Sequence, residues 1–169
     1  MEKLEFIRVG LRKRGVSTRL RLRWDRSPMT CAAVAPILPV EGQVFHAKYA
    51  NNEIYCLVPM VEKIPPSEWR CLYPGPGDLL FSPIDSGHSA NLVNNALAGY
   101  LPPMDPDKGI LDFAFFYERG NCLIGPAGPS RGSLFATGTS FDELEIVAAA
   151  ARDVWFNGAA GEKMYIERA

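Results

Sequence analysis

The chain has 169 residues, of which 47% are hydrophobic and 22% are charged, and its formal net charge is −1. This length suits one domain of ordinary size, and this composition excludes disordered and fibrous proteins. The small net charge argues against a general attraction to nucleic acid or to an anionic membrane. The sequence contains neither a long apolar run that could span a membrane nor the features of a signal peptide. We therefore expect one cytoplasmic domain over residues 1–169.

The cysteines are widely spaced and form no Cys-x-x-Cys pair. They are Cys31, Cys56, Cys71 and Cys122. Such cysteines are typical of free thiols in a reducing compartment. Because only His46 and His88 could complete a ligand set, we expect no metal site. We also expect no cofactor.

Two strand patterns open the chain, over residues 4–11 and 16–24, with a turn at 13–15 between them. The second segment alternates between apolar and polar side chains, which predicts a half-buried strand in an N-terminal hairpin. Its polar face carries Arg19, Arg21 and Arg23. Because no exposed aromatic residues are interleaved with them, this face is more typical of a solvated strand or a subunit contact than of a nucleic-acid surface.

Ser27 and Pro28 predict the N-cap and first residue of a short apolar helix, which ends before Pro39. Residues 43–50 and 53–60 are predicted strands around Asn51-Asn52, a pair typical of a two-residue hairpin loop. If the two strands pair symmetrically about this loop, three pairs of residues face each other. They are Ala50 and Glu53, Lys48 and Tyr55, and His46 and Leu57.

Further strands are predicted over residues 78–84, 111–118, 134–139 and 163–168. Residues 85–108 are rich in Gly, Asn, Ser and Pro and are interpreted as an insertion or lid loop. A capping box at Ser140–Glu143 begins a second helix that ends near Gly158. Its predicted buried residues are Leu144, Val147, Ala148, Ala151 and Trp155. About eight strands and two helices indicate a mostly β protein, a closed antiparallel β-barrel capped by helices.

Four segments carry a resemblance to a known family. They are Trp24–Pro39, VFHAKYANNEIY, YPGPGDLLF and FFYERGNCLIGPAGPSRGSLFATG. In order and spacing they resemble a bacterial family of unknown function that has a cyclophilin-like barrel, and the resemblance covers roughly residues 16–168. It implies a cyclophilin-like fold for this chain and supplies no catalytic residues, because one fold hosts unrelated sites.

Phe45-His46 is similar to the start of the Phe-His-Arg motif of prolyl isomerases, but Ala47 stands where the arginine would be. The chain also lacks the arginine and glutamine pattern that grips the substrate proline in those enzymes. Isomerase activity depends on positioned donors, so the sequence argues against it.

Six polar residues are candidates for ligand binding. They are His46, Lys48, Glu53, Tyr55, Tyr117 and Arg119. The first four share one hairpin surface in the symmetric register, and the last two end a strand before a glycine-rich turn. Together they favour a site for a small polar or anionic metabolite.

Two alternatives stay open. The first is a homo-oligomeric structural or interaction protein, assembled through the arginine face and the long loop. The second is an enzyme that uses His46 or Glu53 as a general acid or base on a small metabolite. The sequence does not decide whether the chain is an enzyme, and neither a nucleic acid nor a membrane is an expected partner.

Overall fold

A computed structural model describes residues 3–85, 107–125, 128–129 and 132–169 of the chain. Strands form the larger part of the regular secondary structure in these residues. The strands are β1 (Phe6–Leu11), β2 (Val16–Leu22), β3 (Val40–His46), β4 (Glu53–Pro59), β5 (Arg70–Cys71), β6 (Asp78–Ile84), β7 (Ile110–Phe116), β8 (Ile124–Gly125), β9 (Gly128–Pro129), β10 (Gly132–Gly138) and β11 (Lys163–Arg168). The predicted insertion or lid at 85–108 lies almost wholly outside the described residues.

The large sheet closes on itself. Its strand order is β2-β1-β11-β3-β4-β7-β6-β10, every pairing within it is antiparallel, and β10 also pairs with β2. The short strand β5 adds to β10 outside this ring, and β8 and β9 form a separate two-stranded sheet. The predicted mostly β fold, a closed antiparallel barrel of about eight strands with helices, is confirmed. Its likeness to the cyclophilin barrel in particular stays a prediction.

Aromatic side chains fill the barrel interior. Phe81, Phe113 and Phe135 are at most 2% exposed, and their rings meet edge to face with centroids 5.7 Å and 6.0 Å apart. Rings in this arrangement attract one another beyond their burial of apolar area. The alternation of β2 places Leu20 and Leu22 in the same core and leaves its arginines outside, as predicted.

A helix covers each end of the barrel. Helix α1 (Pro28–Val34), followed by a 3-10 turn (Ala35–Ile37), connects β2 to β3. Helix α2 (Phe141–Asn157) connects β10 to β11. Because β2 and β10 are antiparallel neighbours, the chain leaves them at opposite ends of the barrel. Both helices contribute buried side chains to the barrel core, so each closes one end.

The two helices begin differently. The Ser140 hydroxyl accepts a hydrogen bond from the Glu143 backbone N–H, which confirms the predicted cap of α2. At α1, Ser27 occupies the N-cap position, but its hydroxyl donates to the carbonyl of Leu134 instead. The carboxylate of Glu68 accepts the N–H groups of Met29 and Thr30, so a distant loop satisfies this helix end.

The register of β3 and β4 differs from the symmetric prediction. His46 pairs with Ile54 and Phe45 with Tyr55, a shift of three residues from the predicted partner of His46. The connection is longer than two residues, because Ala47 N–H donates to the Glu53 carbonyl and residues 48–52 form the loop. A register change of an odd number of residues moves side chains to the other face of the sheet.

Trp155 is 51% exposed, so its predicted burial in α2 is wrong, and Val154 is buried instead. All four cysteines lie in the described part of the chain and are free thiols. Among the described residues, no helix is long and apolar enough to cross a membrane.

Candidate functional site

The end of the barrel covered by α2 contains a hydrogen bond between His46 and Tyr117. His46 ends β3 and pairs with Ile54, so its side chain belongs to the inner face of the sheet. Tyr117 follows β7 and belongs to the same core as Phe115, two residues earlier. The His46 Nε2 atom lies 2.7 Å from the Tyr117 hydroxyl, and Nδ1 lies 2.9 Å from the Ala47 carbonyl oxygen.

These contacts fix the proton positions of the pair. A carbonyl oxygen only accepts, so Nδ1 of neutral His46 carries the proton and Nε2 accepts from the Tyr117 hydroxyl. Burial lowers the pKa of His46 from 6.5, and its contact with the Ala47 carbonyl offsets this only in part. Burial raises the pKa of Tyr117, although the charge of Arg152 acts in the opposite direction. Both side chains are therefore neutral at pH 7, and the Tyr117 oxygen keeps lone pairs that can accept a further hydrogen bond.

A pocket of about 430 Å³ opens beside this pair, between the loop after β3 and the last turns of α2. Its polar and aromatic lining includes His46, Lys48, Tyr117, Arg152, Trp155 and Phe156. The Trp155 ring centroid lies 4.8 Å from that of His46. Trp155 and Phe156 are 51% and 76% exposed, so both present ring surface at the pocket. We call this space the histidine pocket.

The charges of the histidine pocket are positive. Lys48 is exposed and has no acidic partner among the described residues. Arg152 forms an ion pair with Glu118, which follows Tyr117 in the chain. Because His46 is neutral, the pocket presents two cations and, in its own lining, no carboxylate.

Asparagine side chains tie together the two loops that form one wall of the pocket. Asn51 Nδ2 donates to the Gly120 carbonyl at 2.6 Å, and Asn52 Nδ2 donates to the Arg119 carbonyl at 2.8 Å. Asn121 accepts the Asn52 N–H and donates to the carbonyls of Glu118 and Pro74. The loop after β3 and the loop after β7 are therefore joined by at least four hydrogen bonds to side chains or backbone.

Arg119 lines a neighbouring pocket rather than the histidine pocket. This second pocket, of about 520 Å³, lies along the first turns of α2 and is also lined by Glu118 and Glu145. The two pockets share Tyr117 and Arg152. We call this second space the arginine pocket.

Glu53 and Tyr55 lie on the other face of β4, away from His46. Tyr55 stacks on Phe45, with ring centroids 5.3 Å apart, on the outer face of the sheet. Glu53 is only 4% exposed and shares this face with Asp112 of β7, whose Oδ1 is buried without a hydrogen-bond partner among the described residues. Burial raises the pKa of both carboxyl groups, and the charge of Asp112 raises that of Glu53 further.

The six candidate residues therefore lie in three places. His46, Lys48 and Tyr117 line one pocket, and Arg119 lines the adjoining one. The register change removes Glu53 and Tyr55 from this surface, so the single hairpin wall expected from the sequence is not formed. Among the described residues, no group of three or more His, Cys, Asp or Glu side chains is arranged to hold a metal ion.

The sequence interpretation missed Arg152, Trp155 and Phe156. One signal was available in α2, where Ala148, Ala151 and Val154 form the buried face. Residues 155 and 156 follow Val154 on a helix with 3.6 residues per turn, so two adjacent large rings could not both share that face. Two adjacent large rings left exposed by an amphipathic helix form an apolar patch, which is a candidate binding surface.

Comparisons with known proteins support the fold. No curated protein matches the chain. Among solved structures, one described as the structure of McbB in complex with tryptophan is similar to it, with a TM-score of 0.63 and 13% sequence identity. The match covers 96% of this chain and 44% of that one, so the chain spans less than half the length of this neighbour. At this identity the likeness concerns the fold alone.

Residues 9–166 match the family described as "Protein of unknown function (DUF3830)". This span includes all of β2 to β10, both helices and every residue that lines the histidine pocket. The chain belongs to the DUF3830 family.

Proposed function

We propose that the protein binds a small planar carboxylate in the histidine pocket. The observation that carries this proposal is the His46–Tyr117 hydrogen bond beside the ring of Trp155. The same pocket is lined by Lys48, a cation without an acidic partner among the described residues. Each of these features selects one property of the ligand.

The charge of the pocket selects an anion. Lys48 and Arg152 are the charged side chains of its lining, and the histidine between the loop and the helix is neutral. An arginine guanidinium presents a planar fork that matches a carboxylate, and a lysine adds a second charge-assisted donor. An anionic ligand therefore has two cations to contact, one of them, Lys48, without an acidic partner among the described residues.

The aromatic lining selects a planar organic molecule over an inorganic anion. Trp155 and Phe156 already have half or more of their surface exposed. Covering such rings with a flat ligand removes apolar surface from water and allows stacking. An inorganic anion would leave this surface exposed and gain nothing from it.

The hydrogen-bond pair selects a donor on the ligand. The hydroxyl hydrogen of Tyr117 is donated to His46, so the Tyr117 oxygen can form a further hydrogen bond only as an acceptor. A ring N–H or hydroxyl group of the ligand can satisfy it. Tryptophan, with which McbB is described as being in complex, combines a carboxylate, a planar ring and a ring N–H. Indole-3-acetate retains these three groups and lacks the ammonium group of tryptophan, so L-tryptophan and indole-3-acetate are suitable first probes.

Isothermal titration calorimetry with these two probes tests the proposal. We expect saturable binding to the wild-type protein and an affinity about fivefold to tenfold lower for Trp155→Ala, because the stacking surface is lost. Trp69→Ala is the matched control, since Trp69 is also exposed but does not line the pocket, and its affinity should equal that of the wild type. Absence of binding to the wild type, or equal losses in both variants, would overturn the proposal.

A further inference from the structure

The Glu118–Arg152 ion pair lies where the histidine pocket and the arginine pocket meet. Arg152 lines both spaces, and Glu118 lines the arginine pocket only. Arg152 comes from α2 and Glu118 from the loop after β7, so the pair connects the helix to the barrel rim. A ligand carboxylate in the histidine pocket would meet a guanidinium that already has a carboxylate partner.

This ion pair is exposed enough to be exchanged. The side chains of Arg152 and Glu118 are 43% and 40% exposed. Exposed ion pairs contribute little to stability, because both charges remain well solvated when the pair opens. A carboxylate of a bound ligand offers the same geometry to the guanidinium and can replace the Glu118 carboxylate at small cost.

We propose that Glu118 competes with the ligand carboxylate for Arg152 and thereby sets the affinity of the histidine pocket for anions. This inference rests on the proposed function, because it concerns the same ligand and the same pocket. In the free protein Glu118 holds the guanidinium in place. In the complex the ligand carboxylate lies between Lys48 and Arg152, and Glu118 is released into the arginine pocket.

The surroundings of Glu118 favour this exchange. Arg119 also lines the arginine pocket and has no acidic partner among the described residues, so the released carboxylate remains close to a cation. The exchange needs no movement of the barrel, because only the side chains of Arg152 and Glu118 change partners. It also makes Glu118 a specificity residue, since an uncharged ligand has nothing to exchange with it.

Two probes of the same shape separate charge from size, indole-3-acetate and indole-3-acetamide. For Glu118→Gln we expect an affinity for indole-3-acetate about twofold to fivefold higher than that of the wild type, because the internal competitor is gone. The affinity for indole-3-acetamide should not change. Glu145→Gln is the matched control, because it removes one negative charge from the arginine pocket without touching Arg152, and it should behave as the wild type.

The outcomes separate this inference from the proposed function. Equal affinities of wild type and Glu118→Gln for indole-3-acetate would overturn the competition and leave the proposed function standing. Equal gains in Glu118→Gln and Glu145→Gln would also overturn it, since they would reflect charge alone. If the wild type and Glu118→Gln both bind neither probe, the proposed function and this inference fail together. Thermal unfolding of each variant verifies that it is folded.

Discussion

Glu162 is a fully buried carboxylate and Asp112 a half-buried one, and their surroundings in the barrel are opposite. Glu162, next to the first residue of β11, is fully buried and accepts hydrogen bonds from the backbone N–H groups of Lys13, Arg14 and Lys163. The Arg14 guanidinium lies 3.3 Å from it. Asp112, on the outer face of β7, has a buried Oδ1 without a partner among the described residues.

The difference shows that burial alone does not decide whether a carboxylate stabilises a fold. Burial opposes the charged form of Glu162, but the three backbone donors and Arg14 outweigh it and hold its pKa below the ordinary value. For Asp112 burial acts alone and raises the pKa, and the pKa of nearby Glu53 is raised as well. Ionisation of Glu162 therefore stabilises the folded state, whereas ionisation of Asp112 and Glu53 destabilises it.

The largest effect is expected at Glu162. Glu162→Gln removes the charge that Arg14 and three backbone N–H groups face, and it places an amide NH₂ among donors. We expect the free energy of unfolding to fall by about 2 to 3 kcal/mol, measured by urea denaturation at pH 7.

Glu41→Gln is the control for Glu162. Glu41 is also paired with cations, Arg12 and Lys163, but its side chain is 34% exposed. Its loss should cost less than about 1 kcal/mol. Similar costs at the two positions would contradict the idea that burial with a full set of donors distinguishes Glu162.

Asp112 should show an intermediate effect of the opposite sign. Above about pH 4 the folded state keeps a proton at Asp112 that the unfolded state has released, because burial raises the pKa of this carboxyl. The wild-type stability therefore falls with rising pH until the folded-state carboxyl ionises as well, and it levels off above that pH. Asp112→Asn removes this penalty, and we expect it to be about 1 to 2 kcal/mol more stable than the wild type at pH 8. At pH 4 the two should be equal. Unfolding curves from pH 4 to 8 measure the difference, and a constant gap between the two proteins would contradict the assignment.

The smallest effect is expected at Asp153. Its carboxylate accepts from Asn157 and Arg14 at the protein surface, and these contacts lower its pKa. Asp153→Asn should reduce the melting temperature less than Glu162→Gln does, and the reduction should disappear in about 1 M salt, where exposed charges are screened. A reduction in melting temperature that persists in salt would show that the contacts of Asp153 behave like the buried contacts of Glu162 and not like those of a surface ion pair.

Local patterns in the sequence predicted much of the fold. The alternation in β2 predicted Leu20 and Leu22 as core residues, and the capping box predicted the start of α2 at Ser140. These signals depend on neighbours in the chain, so they can be read without the rest of the molecule. The closed barrel then followed from the number of short strands.

Tertiary contacts determine the β3–β4 register and the lining of the pocket, which local sequence patterns did not predict. Asn51 and Asn52 looked like a two-residue turn, but their side chains bind the loop after β7, and the strand register moved with them. The site prediction inherited this error, because Glu53 and Tyr55 were placed beside His46. Arg152 and Trp155 reach the pocket from a helix more than 100 positions later in the chain, and no local pattern connects them to His46.

The asparagine contacts between the two pocket loops also limit how the pocket can change in evolution or by design. Asn51, Asn52 and Asn121 hold the loops at fixed positions on each other, so inserting or deleting a residue in one loop would misalign donors and acceptors in both. New ligand preferences in related proteins should therefore arise by substitution of side chains such as Lys48 or Trp155, while the lengths of the two loops stay the same. Designed libraries should randomise those side chains and leave the loop lengths alone.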